Sequence, residues 1–185
     1  MKMMNKNRWI HTVAIGVLSA ACSAAICLGQ TTVTGQVRIE RPGTVKNAAK
    51  AKPNEGDVVV WLKPLDGATV PPLDKGAPHP KLVQKDKKFD PHLLVVRAGS
   101  VVDFPNRDPF FHNVFSLFDG KRFDLGLYEA GATNSVRFDR AGVSFLFCNI
   151  HPEMSAVVVS LDTPYYTVSN GAGAVSIAGV PDGRY

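Results

Sequence analysis

One cysteine, two histidines and one methionine carry the chemistry most visible in this chain. Cys148-Asn149-Ile150-His151-Pro152-Glu153-Met154 sets a thiol, an imidazole and a thioether at C-x2-H-x2-M spacing, and His112 stands upstream in Phe110-Phe111-His112-Asn113-Val114. A loop of that spacing can fold its three side chains around one point, and Pro152 stiffens the turn by fixing its φ. A thiolate, two imidazoles and a thioether form the donor set of a trigonal His2Cys copper site with a weak axial methionine.

Other chemistries use these groups less completely. Zinc accepts Cys and His, but a thioether favours the softer copper. Cys148 and His151 could pair as nucleophile and base, which leaves Met154 and His112 without a role. The sequence has no C-x-x-C-H motif, so c-type haem is excluded. A copper enzyme with a second metal centre would need more histidines than His79, His92, His112 and His151, the four that follow residue 29. The expectation is a protein that is not an enzyme. His79, between Pro78 and Pro80, reads as an exposed loop residue, whereas His92, at the head of an apolar run, is a candidate to support the metal ligands from behind or to substitute for one of them.

The elements that must position these residues are strands. Thr31–Ile39 alternates, Val58–Leu62 is a short apolar run, and Leu93–Val96, Val101–Phe104, Val114–Phe118, Ser135–Phe138, Val143–Cys148 and Ala156–Leu161 follow, punctuated by Gly, Pro, Asn and Asp. Runs of this length and spacing indicate an all-β sandwich or barrel. No window shows a convincing amphipathic helix. Residues 41–56 and 64–91, rich in Lys, Pro, Ala and Gly, read as solvated loops. Six phenylalanines (104, 110, 111, 115, 118 and 123) cluster in sequence around His112, and Phe145 and Phe147 precede Cys148. These read as core and as an apolar shell that limits water near the sulfur. Asn113 is placed to hydrogen-bond across to the loop after Cys148.

Residues 1–29 read differently. Lys2, Lys6 and Arg8 precede an apolar run from Ile10 to Leu28 that ends in small residues, which is the pattern of a secretory signal peptide. Cleavage after Gly29 removes Cys22 and Cys27, so no disulfide can form within the remaining chain, and a single cysteine in an oxidising compartment suggests a metal ligand. It also lowers the formal charge from +5 to +2. Nucleic-acid binding therefore has no support, and stable membrane insertion is not expected once the signal is removed.

The His112-Asn113 pair with Cys148-x2-His151-x2-Met154 resembles the cupredoxins, or blue copper proteins, with loop spacing similar to that of amicyanin and an overall length closer to longer periplasmic proteins sometimes labelled methylamine-utilisation proteins. The resemblance covers Thr31 to Leu161. It implies a Greek-key β-sandwich over residues 30–161, one type 1 copper ion, His112, Cys148 and His151 as equatorial ligands and Met154 as the axial one. It further implies one-electron transfer outside the cytoplasm, in the periplasm or after export, to a transient redox protein partner, with His151 the ligand nearest the surface. A non-redox copper-binding or copper-delivery protein would use the same ligands. The segment 162–185 reads as a β-hairpin around a Gly-containing turn, and Gly179-Val-Pro-Asp-Gly-Arg-Tyr185 resembles the start of a carboxypeptidase regulatory-like β-module.

Overall fold

The computed structural model describes residues 30–39, 56–65 and 70–185. The signal-like segment 1–29 and most of the Lys- and Ala-rich stretch 41–56 lie outside them. The described residues form strands and turns without helix. In chain order the strands are β1 (Gln30–Gln36), β2 (Val59–Trp61), β3 (Val83–Lys85), β4 (Lys88–Asp90), β5 (Leu93–Arg97), β6 (Ser100–Pro105) and β7 (His112–Ser116). They continue with β8 (Phe123–Tyr128), β9 (Thr133–Phe138), β10 (Gly142–Phe147), β11 (Ser155–Leu161), β12 (Tyr166–Val168) and β13 (Ala174–Pro181).

Two layers enclose the main core. One is a five-stranded sheet in the order β5-β11-β10-β7-β8, in which β5 and β11 run parallel and the remaining pairs antiparallel. The other is built on the antiparallel β6–β9 pair, extended by the β3–β4 hairpin through parallel bridges Lys81–Asp103 and Gln84–Asn106. The chain crosses from β8 to β9 and back to β10, alternating layers, which is the crossed connectivity of a Greek-key β-sandwich. Period-2 alternation explains the packing. On β10, Ser144 and Leu146 point inward while Val143 and Phe145 face outward. Leu82, Phe89, Val102, Phe104, Val114, Phe138, Leu146 and Val158 fill the interior together with Cys148 and Met154. Each large side chain buried there contributes about 1.5–3 kcal/mol relative to exposure.

A second, smaller cluster holds Tyr165, Ile177 and Val180 against Leu62, Val70 and Tyr185. The C-terminal segment forms a strand, a turn and a strand, but β12 and β13 do not pair with each other as the expected hairpin would require. Their strand partners come from the N-terminal part of the chain: β12 pairs with β2, and β13 with β1.

Two expectations are corrected. Residues 64–91 were expected to be solvated loop, yet they contain β3 and β4, and Leu82, Gln84 and Phe89 are buried. The hairpin turns at Asp86 and Lys87, both with positive φ (54° and 55°), the conformation of a two-residue type I′ turn. The phenylalanines near His112 were expected to be mostly core. Phe104 is buried, but Phe110, Phe111 and Phe118 are exposed.

A close backbone approach ties the β7–β8 connection to β10. A β-carbon on Gly120 would overlap the carbonyl of Val143, and one on Gly142 would lie 2.8 Å from the Cα of Gly120. Gly120→Ala is therefore expected to cost about 1–3 kcal/mol, measurable as a lowered midpoint in urea with an unchanged m-value.

Candidate metal centre

Cys148 follows the last residue of β10, where the strand leaves the sheet. The Met154 amide donates to the His151 carbonyl at 2.9 Å, and the Cys148 amide to the Met154 carbonyl at 3.4 Å. These bonds close 148–154 into a tight loop that carries three of the four expected ligands. His112 arrives from the first position of β7, on the strand beside β10, where Phe147 is registered to Phe115. Between the pairs Asn113–Leu127 and Phe115–Asp124 the register shifts, with the extra residue on β8, where Gly126 has positive φ (65°), a bulge of the kind found next to functional sites.

The side chains converge. Cys148 Sγ lies 3.8 Å from His112 Nδ1 and 3.8 Å from His151 Nδ1, and the two Nδ1 atoms are 3.2 Å apart. One ion can touch all three only if these spacings are below the sums of the metal–ligand bonds. With metal–N about 2.0–2.1 Å and metal–S about 2.3 Å, the limits are about 4.1 Å for N···N and about 4.4 Å for S···N. All three distances satisfy them, and these residues are the group of potential metal ligands found together among the described residues. Met154, almost wholly buried, closes the same loop from inside the core. The cluster could hold one copper ion, and the donor set fits copper better than a harder metal. Cys148 is a free, buried thiol.

The ring of His112 has no exposed surface and is held by a carboxylate. Its Nε2 is 2.7 Å from Asp108 Oδ2, which places the proton on Nε2 and frees Nδ1 to face the sulfur. Asp108 in turn accepts the amides of Asp86 (2.7 Å) and Lys87 (3.0 Å) from the tip of the β3–β4 hairpin. Burial pushes the Asp108 carboxyl up, but the Lys87 amide, the His112 ring and the Asp86 amide outweigh it and hold the group ionised below the usual carboxylate range. Asn106 Oδ1 accepts the Asp108 amide, and its Nδ2 donates to the carbonyls of Phe110 and Tyr128.

Sequence reasoning missed Asp108. The available signal was an acid four residues before a histidine within a turn-forming segment, a placement equally common in ordinary loops. Asn113 does what was expected of it: its Oδ1 accepts the Asn149 amide at 3.4 Å, and its Nδ2 is anchored on Asp124 at 2.7 Å. His92 is not in the ligand cluster. Its Nδ1 lies 3.0 Å from the Ser155 carbonyl, so it braces the strand that begins just after Met154. His79 is exposed and bonds Asp103 at 2.9 Å, away from the cluster.

His151 is the more accessible imidazole, only partly buried where His112 is fully so. Phe110 packs against both rings, with centroids 5.2 Å from His112 and 5.4 Å from His151. Phe111 and Ile150 are 53% and 44% exposed in the flanking turns, and the Lys87 amine lies 5.7 Å over the Phe110 ring.

No family profile and no curated protein matches the chain. Among solved structures, the chain is similar to amicyanin and other cupredoxins. The Cu(I) form of an amicyanin mutant matches at 22% identity and TM-score 0.42, over 46% of this chain and 86% of that one. A purple cupredoxin from Nitrosopumilus maritimus matches at 22% identity and TM-score 0.40, over 44% of this chain and 98% of that one. A copper-containing nitrite reductase from Thermus scotoductus matches at 22% identity and TM-score 0.43, over 53% of this chain and 25% of that one.

Proposed function

We propose that this is an exported cupredoxin-type protein that carries single electrons through one type 1 copper ion held by His112, Cys148, His151 and Met154. The observation that carries the reading is the convergence of one cysteine sulfur and two Nδ1 atoms, 3.2 to 3.8 Å apart, at the mouth of an apolar core. When bound, copper would supply a one-electron couple. The chain supplies what such a couple requires. Cys148 offers a buried sulfur shielded from water, Asp108 fixes the tautomer and direction of His112, and the short loop restrains His151 and Met154. A framework set before metal arrives keeps the ligands in place as the charge changes.

His151, with Phe110 against its ring and the exposed Ile150 beside it in the loop, is the proposed exit for the electron. A small apolar patch of this kind suits the modest interfaces of transient redox partners. No helix among the described residues is long and apolar enough to cross a membrane, and export rests on the signal-like segment 1–29. The reading assigns the protein no catalytic reaction.

Copper delivery would use the same ligands, and electron exchange separates the two readings. Trace Cu(II) protein added to Cu(I) protein should broaden the NMR signals of residues around His151 through rapid self-exchange. A Cu(I) chelator such as bathocuproine disulfonate should remove the metal only slowly. Removal within seconds, without self-exchange, would favour delivery.

A further inference from the structure

The β3–β4 hairpin carries Lys85-Asp86-Lys87-Lys88 across its turn, three cations against one acid, all exposed. Lys85 and Lys88 stand directly opposite each other, and the next pair, Gln84 with Phe89, is buried. The two amines therefore share the outer face of the hairpin. Like charges directly opposite each other destabilise a strand pair, and here nothing offsets them. Among the described residues Lys85, Lys87, Lys88 and the exposed Arg107, whose amide donates to Gln84 O at 2.8 Å, form no ion pair. Asp108 is turned to the Asp86 and Lys87 amides and to His112. Asp86, Asp90, Glu129 and Glu153, the exposed acids of the hairpin and adjoining turns, pair with none of these cations.

The tip of this hairpin lies at the metal cluster. The Lys87 amine sits 5.7 Å over the Phe110 ring, and Phe110 packs against both imidazoles. Lysine on an edge strand can serve to block unwanted strand pairing. That role requires neither a like charge directly opposite nor a second lysine drawn over the ring beside His151.

We infer that this hairpin is the docking surface for an acidic redox protein. Carboxylates around the partner's donor or acceptor edge would meet Lys85, Lys87 and Lys88, with Arg107 adding to the field, while an apolar spot covers Phe110 and Ile150. Exposed charge of one sign beside a small apolar patch steers an oppositely charged partner and speeds encounter without requiring a tight complex. Electron exchange with that partner rests on the reading proposed above, whereas docking on the hairpin does not need copper.

Docking is tested by amide NMR titration of the purified, metal-free protein with reduced cytochrome b5, whose haem edge is acidic, and with reduced mitochondrial cytochrome c, whose haem edge is basic. Cytochrome b5 should give saturable shifts at Lys85, Lys88, Phe110 and Ile150 at low salt, weakening about tenfold as salt rises to about 0.15 M. Cytochrome c should give none there. Lys87→Gln with Lys88→Glu removes the cation over Phe110 and gives Lys85 an opposite charge across the hairpin. This double variant should bind cytochrome b5 about tenfold more weakly, with a thermal midpoint unchanged or raised. In Cu(II)-loaded protein, stopped-flow reduction by cytochrome b5 should slow in proportion, while reduction by uncharged hydroquinone should not change. No saturable binding of cytochrome b5, shifts centred away from the hairpin, equal binding of cytochrome c, or unchanged affinity in the folded double variant would each overturn the docking surface. Docking on the hairpin without electron transfer to Cu(II)-loaded protein would overturn the electron-carrier reading and leave the surface standing.

Discussion

Replacing Cys148 with serine is expected to abolish any blue thiolate-to-copper absorption and to leave, at most, a weaker and ordinary tetragonal Cu(II) spectrum. Sγ is the atom that both Nδ1 atoms face at 3.8 Å, and a serine oxygen is a harder and less charged donor at neutral pH. Serine is close to isosteric, so the fold should survive. The buried position does leave a hydroxyl beside core side chains, which costs about 1–3 kcal/mol if unpaired. Visible absorption and thermal unfolding on the same sample separate the two effects. A Cys148→Ser protein that stays blue would remove the thiolate from the account.

The second large effect is assigned to Asp108. Asp108→Ala should weaken copper binding about 10–100-fold, the range for removing a partner that orients a metal-bound histidine. The cause is specific: the carboxylate holds Nε2 of a fully buried imidazole at 2.7 Å, and two hairpin amides hold the carboxylate. Without it the His112 ring can rotate or change tautomer, and the amides of Asp86 and Lys87 lose their acceptor. Asp108→Asn retains the shape but not the charge and should fall between the alanine variant and the native protein. Copper competition titrations against a chelator of known affinity give the number. An unchanged affinity in Asp108→Ala would show that packing alone orients His112.

The cluster of His112, Cys148 and His151 was legible because the cysteine and one histidine sit within four residues and the other histidine has a distinctive neighbour in Asn113. The start of the loop that carries Cys148 and His151 was legible too, since apolar runs such as Val143–Cys148 and Ala156–Leu161 had to pair to bury their alternating faces. The support behind the ligands was hidden. It comes from the β3–β4 hairpin, whose strands are three residues long, rich in Lys, and joined by Asp86-Lys87 without the usual glycine. Asp86 and Lys87 adopt positive φ although such a conformation is uncommon outside glycine. The acceptor they share, Asp108, compensates in a way that no local pattern reveals.

β8 escaped notice for a related reason. Asp124 and Gly126 interrupt its apolar run, yet Asp124 is the anchor of Asn113 and Gly126 supplies a second acceptor. The exposed phenylalanines went the other way. Phe110 and Phe111 looked like core by composition, but both are exposed, and Phe110 packs against the two imidazoles.

The central claim is that one copper ion binds in a trigonal thiolate–imidazole plane. Its most direct test is the visible and EPR spectrum of the protein from Gln30 onward after addition of one equivalent of Cu(II). The account predicts an intense blue charge-transfer band with narrow copper hyperfine splitting. A colourless protein, or one with the wide splitting of ordinary tetragonal copper, would contradict it.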